Sequence, residues 1–237
     1  MRTLCIFVIT LVWIPFVSAK ETFYSALESK ESVEEEGGTI DGGEFAPAKF
    51  GNGFVSENVG DVIHFPVEDR FVSLEKGTVE LWVKMGLDAS TISGELFMFM
   101  TYKRGTDAVF LQFGPAPIAR MRIKSAGTWH NAESAPLDWK EGEIHHMAGT
   151  WGPDGLNLYL DGELAGSDNF TGSPIVFAET LEINNASPPD PNFPTNCVVD
   201  EIRISDHQKA PDEFVMEPGS VQPAAKITTT WGRTKDI

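Results

Sequence analysis

The chain has 237 residues, 41% of them hydrophobic and 22% charged, which suits one globular domain with a substantial core. Its formal net charge of −17 argues against nucleic acid and anionic membrane surfaces as partners and leaves room for cations.

Residues 1–19 read as a secretory signal. Arg2 is a minimal positive start, residues 4–17 are apolar but too short to span a bilayer comfortably, and Val17-Ser18-Ala19 fits the small-x-small cleavage rule. Cleavage before Lys20 makes the expected location extracellular, periplasmic or cell-surface, with no membrane insertion afterwards. Cys5 leaves with that segment, so Cys197 has no intrachain partner and is expected to be a small buried hydrophobe.

Residues 21–27 form the first expected strand, and the glutamate-rich stretch 28–38 an expected solvated loop. Residues 39–53 are glycine-rich and read as irregular. Residues 54–65 read as a hairpin turning near 58–61. The strand 78–85 alternates cleanly, with Val79, Leu81, Val83 and Met85 on one face and Thr78, Glu80, Trp82 and Lys84 on the other. Trp82 is expected to cover the outside of the core, with sugar stacking the alternative. Residues 96–102 are apolar on both faces, which predicts a central strand, and 108–113 form another.

On residues 119–124, Ala119, Met121 and Ile123 point one way and Arg120, Arg122 and Lys124 the other. These cations either pair with acidic neighbours across the sheet or face an anionic glycan. Trp129 and His130 follow as candidate sugar contacts, because an indole face stacks on the C–H face of a pyranose.

Residues 144–151 and 156–160 form a hairpin around Pro153-Asp154-Gly155, with Leu156, Leu158 and Leu160 on one face and a second turn at Asp161-Gly162. His145 and His146 are adjacent, so on a strand they point to opposite faces and cannot share one metal. Strands are expected at 175–177 and 180–184, and the four-proline stretch 187–194 reads as an exposed rim loop. Asn169-Phe170-Thr171 and Asn185-Ala186-Ser187 are glycosylation sequons. In the last strand, 198–204, parity groups Asp200 with Val198, Ile202 and Ile204. An aspartate on an apolar face needs backbone donors or a cation, so Asp200 and Asp61 are the candidate calcium ligands. Residues 210–217 read as a short helix with Pro211 in its first turn. Residues 218–237 form a polar tail, leaving 20–217 as one domain.

Three segments carry a family resemblance. His145-His146-Met147-Ala148, Thr150-Trp151 and Leu158-Tyr159-Leu160-Asp161-Gly162 resemble the signature of laminin-G-like jelly rolls in the concanavalin A-like lectin/glucanase superfamily. Gly77-Thr78-Val79-Glu80-Leu81-Trp82-Val83-Lys84 and Val198-Val199-Asp200-Glu201-Ile202-Arg203-Ile204-Ser205 resemble two flanking strands of that family, in the right order. Ile144 stands where the family has Trp, and the disulfides common there are missing. The resemblance implies an all-β, antiparallel two-sheet sandwich, with calcium in some members and the His pair as scaffold. Its glucanases carry E-x-D-x-E along one strand, which would place nucleophile and acid/base on one face. No Glu in this chain is followed two positions later by Asp. The expected function is therefore a non-enzymatic binding module for a glycan or an extracellular protein. The alternatives are a glycoside hydrolase with an atypical site and a purely structural adhesion domain.

Overall fold

The computed structural model describes residues 20–67, 75–103, 107–115, 117–172, 180–185 and 195–217. The leader, the candidate strand 175–177, the proline-rich stretch 187–194 and the tail lie outside them.

In chain order the strands are β1 (Glu21–Ser25), β2 (Thr39–Asp41), β3 (Glu44–Pro47), β4 (Asn52–Val55), β5 (Val62–Pro66), β6 (Gly77–Lys84), β7 (Leu96–Lys103) and β8 (Asp107–Gly114). They continue as β9 (Ile118–Ser125), β10 (Thr128–Glu133), β11 (Ile144–Gly152), β12 (Gly155–Leu160), β13 (Glu163–Asp168), β14 (Thr180–Asn185) and β15 (Val198–Ser205). One sheet runs β13-β12-β11-β6-β15-β4-β3, with β1 also paired to β15; the other runs β10-β9-β8-β7-β14-β5-β2. Every described pairing is antiparallel, as expected for a jelly-roll sandwich.

Alternation builds the core between the sheets. Val79, Leu81 and Val83 of β6, Met147 and Trp151 of β11, and Leu156 and Leu158 of β12 point inward from one sheet. Val109, Leu111 and Phe113 of β8 and Ala119, Met121 and Ile123 of β9 meet them from the other. The β11–β12 hairpin turns where expected, with Gly152 opposite Gly155. The next turn uses positive φ at Asp161 (50°) and Gly162 (82°), the conformation for which Asp-Gly is suited. Cys197 is fully buried, and burial pushes its thiol up to about 11.

Four strand pairings carry register shifts, and those in β7 and β15 change which residues face the core. In β7 an irregularity between Phe97 and Phe99 lets Met98 and Phe99 both enter the core while Phe97 and Met100 both face outward. The strand is thus apolar on both sides, as its sequence suggests, and lies fourth of seven in its sheet. In β15 the register shifts between Asp200 and Arg203, and Glu201 has φ 53°. This overturns the simple parity: Ile202 and Ile204 pack in the core with Val199, whereas Asp200 lies opposite the outward-facing Trp82.

Other expectations need correction. Residues 28–38 hold a short helix, α1 (Lys30–Glu35), rather than a loop. Ser29 Oγ accepts from the Ser32 amide at 3.2 Å, Ser32 Oγ accepts from the Ser29 amide at 3.0 Å, and Val33 is buried beneath. Residues 39–53, expected to be irregular, hold β2, β3 and the start of β4. Residues 54–65 are not a hairpin, because β4 belongs to one sheet and β5 to the other. The expected helix 210–217 is a single 3-10 turn, Pro211–Glu213. Trp82, by contrast, is placed as expected: buried against Phe50 and His146, it covers the sheet and offers no stacking platform.

The two sheets come together along the β13 and β10 edges. A Cβ on Gly166 would stand 2.2 Å from the Glu133 carbonyl oxygen and 2.7 Å from its amide nitrogen. Backbone atoms cannot move aside cheaply, so Gly166→Ala is expected to destabilise the fold by about 1–3 kcal/mol. Denaturant midpoints of the two proteins measure it, and an unchanged midpoint would disprove the close approach.

Candidate functional site

The pairing of β9 with its neighbours sets the geometry of one end of the seven-stranded sheet's outer face. Arg120 lies opposite Gln112 of β8 and Glu133 of β10, Arg122 opposite Phe110 and Asn131, and Lys124 opposite Ala108 and Trp129. Four of the five sequence-derived candidates, Arg120, Arg122, Lys124 and Trp129, thus share one surface.

Their charges are largely matched. Arg122 Nη1 donates to Glu95 Oε1 at 2.9 Å, and its Nε donates to Asn131 Oδ1 at 2.8 Å. Arg120 Nε stands 2.9 Å from Glu133 Oε1, and its Nη1 stands 3.6 Å from the same Glu95 oxygen that Arg122 holds. The Arg122 guanidinium carbon lies 4.3 Å from the Trp129 ring centroid, a cation–π contact that takes one face of a partly exposed indole. Burial holds the Arg122 guanidinium below its ordinary range, against the opposing pull of Glu95. Lys124 Nζ approaches Trp129 at 5.5 Å and has no carboxylate within ion-pair distance among the described residues.

Beside these polar groups lies a small apolar cluster of Phe97, Met100, Ala108 and Phe110, against which Trp129 packs. Phe97 and Phe110 meet edge-on at 5.1 Å, and Phe110 meets Trp129 at 5.3 Å. Gln112, between Arg120 and Phe97 in register, is 0% exposed, and neither amide atom has a protein partner. A buried amide without partners is uncommon enough to mark a place where another polar group belongs. Glu95 stands between Gly94 and Leu96, which help to line a cavity of about 220 Å³ with Leu87, Ile92 and Asn196.

The remaining candidates lie elsewhere. His130 sits opposite Ile123 and so points to the core side of β10, where it stacks on Phe170 at 3.9 Å and faces Asp168 at 3.8 Å. Asp61 Oδ2 accepts the amides of Glu57 (3.0 Å) and Asn58 (2.8 Å), closing the turn before β5. Asp200 accepts the Phe50 amide at 2.9 Å through Oδ2, while Oδ1 is buried without a partner. Burial, reinforced by the charges of Glu201 and Glu28, pushes Asp200 up to about 7 despite that hydrogen bond. Among the described residues no group of three or more His, Cys, Asp or Glu side chains is arranged to hold a metal ion.

The histidine pair divides as its adjacency requires. His145 stacks on Trp139 at 3.7 Å and holds Asp161 at 2.8 Å, while His146 is buried on the other face, 3.1 Å from Glu80. Burial lowers the His145 pKa, but hydrogen bonding to Asp161 and Glu143 outweighs it and holds the imidazole above its ordinary range.

A laminin G-like family model of the concanavalin A-like lectin/glucanases superfamily matches residues 58–213. The chain belongs to that superfamily. No curated protein matches it. Among solved structures, one similar to this superfamily member is domain 4 of AbnA, a GH43 extracellular arabinanase from Geobacillus stearothermophilus, in complex with arabinotriose. The identity is 21% and the TM-score 0.55, over 82% of this chain and 96% of that one. The receptor-binding domain of a botulinum neurotoxin C/D mosaic is similar at 14% identity and TM-score 0.59, over 74% of this chain and 44% of that one. The serotype D ligand-binding domain, in complex with N-acetylneuraminic acid, is similar at 14% and 0.58, over 74% and 43%. The chain spans less than half the length of those toxin domains. At these identities the likeness is one of fold. Within that superfamily fold, Glu95, Glu133, Asn131, Gln112 and Phe110 join the surface around Arg122, and sequence reading alone had selected none of them.

Proposed function

We propose that this protein is an exported, non-catalytic carbohydrate-binding module whose sugar docks on the β8–β10 end of the outer face of the seven-stranded sheet. The observation that carries this reading is Trp129, a partly exposed indole resting on the Arg122 guanidinium at 4.3 Å. Around it stand side chains already held in place: Arg122 by Glu95 and Asn131, Arg120 by Glu133. Groups fixed by one another lose little freedom when a ligand arrives, and an aromatic ring with a few placed polar groups is the usual make-up of a sugar site. Support comes from the arabinanase domain, which the chain covers almost completely and which was solved with a trisaccharide. The missing E-x-D-x-E pattern supports the non-catalytic part, and the leader-like residues 1–19 support export.

Calorimetric titration of the full chain with arabino-, xylo- and cello-oligosaccharides and with uronate-containing ones tests the reading. Saturable binding to at least one is expected, and Trp129→Ala should weaken it about tenfold or more, the loss typical of a central aromatic contact. The melting temperature of that variant shows whether it has folded. Full affinity in the folded variant, or no binding to any sugar, overturns the proposal.

A further inference from the structure

Resting on that reading, we infer that Glu95 is a specificity-determining residue, one that matches the charge of the arginine pair so that the site takes neutral glycans and turns acidic ones away. On the sequence alone, Arg120, Arg122 and Lys124 either pair with acidic neighbours across the sheet or face a uronate or sulfate. The structure places a carboxylate between the two arginines: Glu95 Oε1 is 2.9 Å from Arg122 Nη1 and 3.6 Å from Arg120 Nη1. Glu133 pairs with Arg120 from the adjacent strand. An anionic sugar reaching these guanidiniums would have to displace Glu95 or sit beside it. Either course costs it a like-charge contact that a hydroxyl group does not meet.

The neighbouring groups suit hydroxyls. Asn131 keeps its amide NH2 as a donor while its Oδ1 holds Arg122, and Gln112, buried just beneath this surface, has both its donor and its acceptor unmatched. Only Lys124 on this surface is left without a carboxylate among the described residues; at the arginine pair the charges are matched, so an acidic group docking there meets the carboxylates of Glu95 and Glu133. Glu95 reaches these arginines from just before β7, two strands away from β9, so its place cannot serve to stabilise β9 by direct cross-strand pairing. Glu133 already fills that structural role as the register partner of Arg120.

The test compares the full-length wild type with Glu95→Gln, using arabinotriose, xylotriose and cellotriose as neutral probes and trigalacturonic acid as the acidic probe. Wild type is expected to bind a neutral trisaccharide with an affinity that changes less than about twofold between low and high salt, and to bind trigalacturonic acid at least about tenfold more weakly. Glu95→Gln keeps the size and an acceptor oxygen but removes the charge that matches Arg122, while Arg120 keeps Glu133. It is expected to gain trigalacturonic acid binding by about tenfold, with that gain lost at high salt. Wild type that prefers trigalacturonic acid overturns the inference and leaves the glycan-binding reading standing. A Glu95→Gln protein that melts like wild type and gains no acidic binding also overturns it. If no probe binds either protein, the glycan-binding reading itself fails.

Discussion

Glu80→Ala is expected to lower the stability of the folded chain by about 3–5 kcal/mol, because it leaves a buried ammonium without its counter-charge. Glu80 projects from β6 on the outer face of the eight-stranded sheet and is 1% exposed. Its Oε1 holds Lys209 Nζ, while Oε2 lies 3.1 Å from His146 Nε2 and accepts the Val215 amide at 3.2 Å. Burial opposes ionisation of this carboxyl, yet the His146 hydrogen bond and the Lys209 charge prevail and hold it below the ordinary carboxylate range. Its stabilising contribution is therefore present at neutral pH and disappears on acidification through its lowered folded value. The same cluster straps the C-terminal segment over the sheet. Trp82 Nε1 donates to the Val215 carbonyl at 3.3 Å, Thr78 bonds the backbone at His207 and Lys209, and Phe214 packs on His146 and Tyr159. Urea denaturation of Glu80→Ala measures the loss, and Glu80→Leu, Lys209→Met and their double variant together measure the coupling. Each single change should be severe, and the double should recover much of the loss, since an apolar pair strands no charge. A Glu80→Ala protein within about 1 kcal/mol of wild type would show that the ammonium finds water or another partner.

How much of this was legible in the sequence depends on where the chain keeps a simple period. On β6, β9 and β12 strict alternation separates core from surface, and the structure follows it residue by residue, down to Arg120 and Arg122 facing away from Met121. The same rule, applied one strand later, separates Trp129 from His130, which share a tetrapeptide but not a face. Alternation fails at bulges, since an inserted residue moves everything after it to the other side. That is why Asp200 is legible as a strand residue but not as one facing outward. The passage of β4 and β5 into different sheets was hidden because two short apolar runs joined by a turn look the same whether or not they pair. Helix α1 was hidden because its cap is a reciprocal Ser29–Ser32 pair among glutamates, with Val33 as its only buried residue. Glu95 and Gln112 carry no local signature at all. Their importance arises from cross-strand register and from an approach between residues 27 apart in the chain, which no periodicity encodes.

Asp200→Asn is expected to make the protein roughly 1–3 kcal/mol more stable at pH 8 and to change it little near pH 4. Burial is the chief cause: the carboxyl is pushed up to about 7, with the charges of Glu201 and Glu28 adding repulsion and the backbone amides of Phe50 and, more weakly, Glu201 opposing. A raised folded value means that the native state holds this proton more tightly than the unfolded chain does. Between about pH 4, where an unfolded aspartate titrates, and about pH 7, the native state binds more protons, so this group's influence on stability declines as pH rises. Above that window the penalty of a buried, half-satisfied carboxylate is complete. Asparagine retains an oxygen for the Phe50 amide and carries no charge, so the variant's melting temperature should decline less than that of wild type from pH 5 to pH 8. Calcium separates the two roles proposed for this side chain. If Asp200 acts as a calcium ligand, added calcium raises the wild-type melting temperature at pH 8 by mass action and does nothing for Asp200→Asn. If it is solely a buried acid, calcium moves neither protein and the pH dependence alone distinguishes them. Parallel melting curves across the whole pH range, insensitive to calcium, would show instead that the carboxylate is better solvated than its 1% exposure implies.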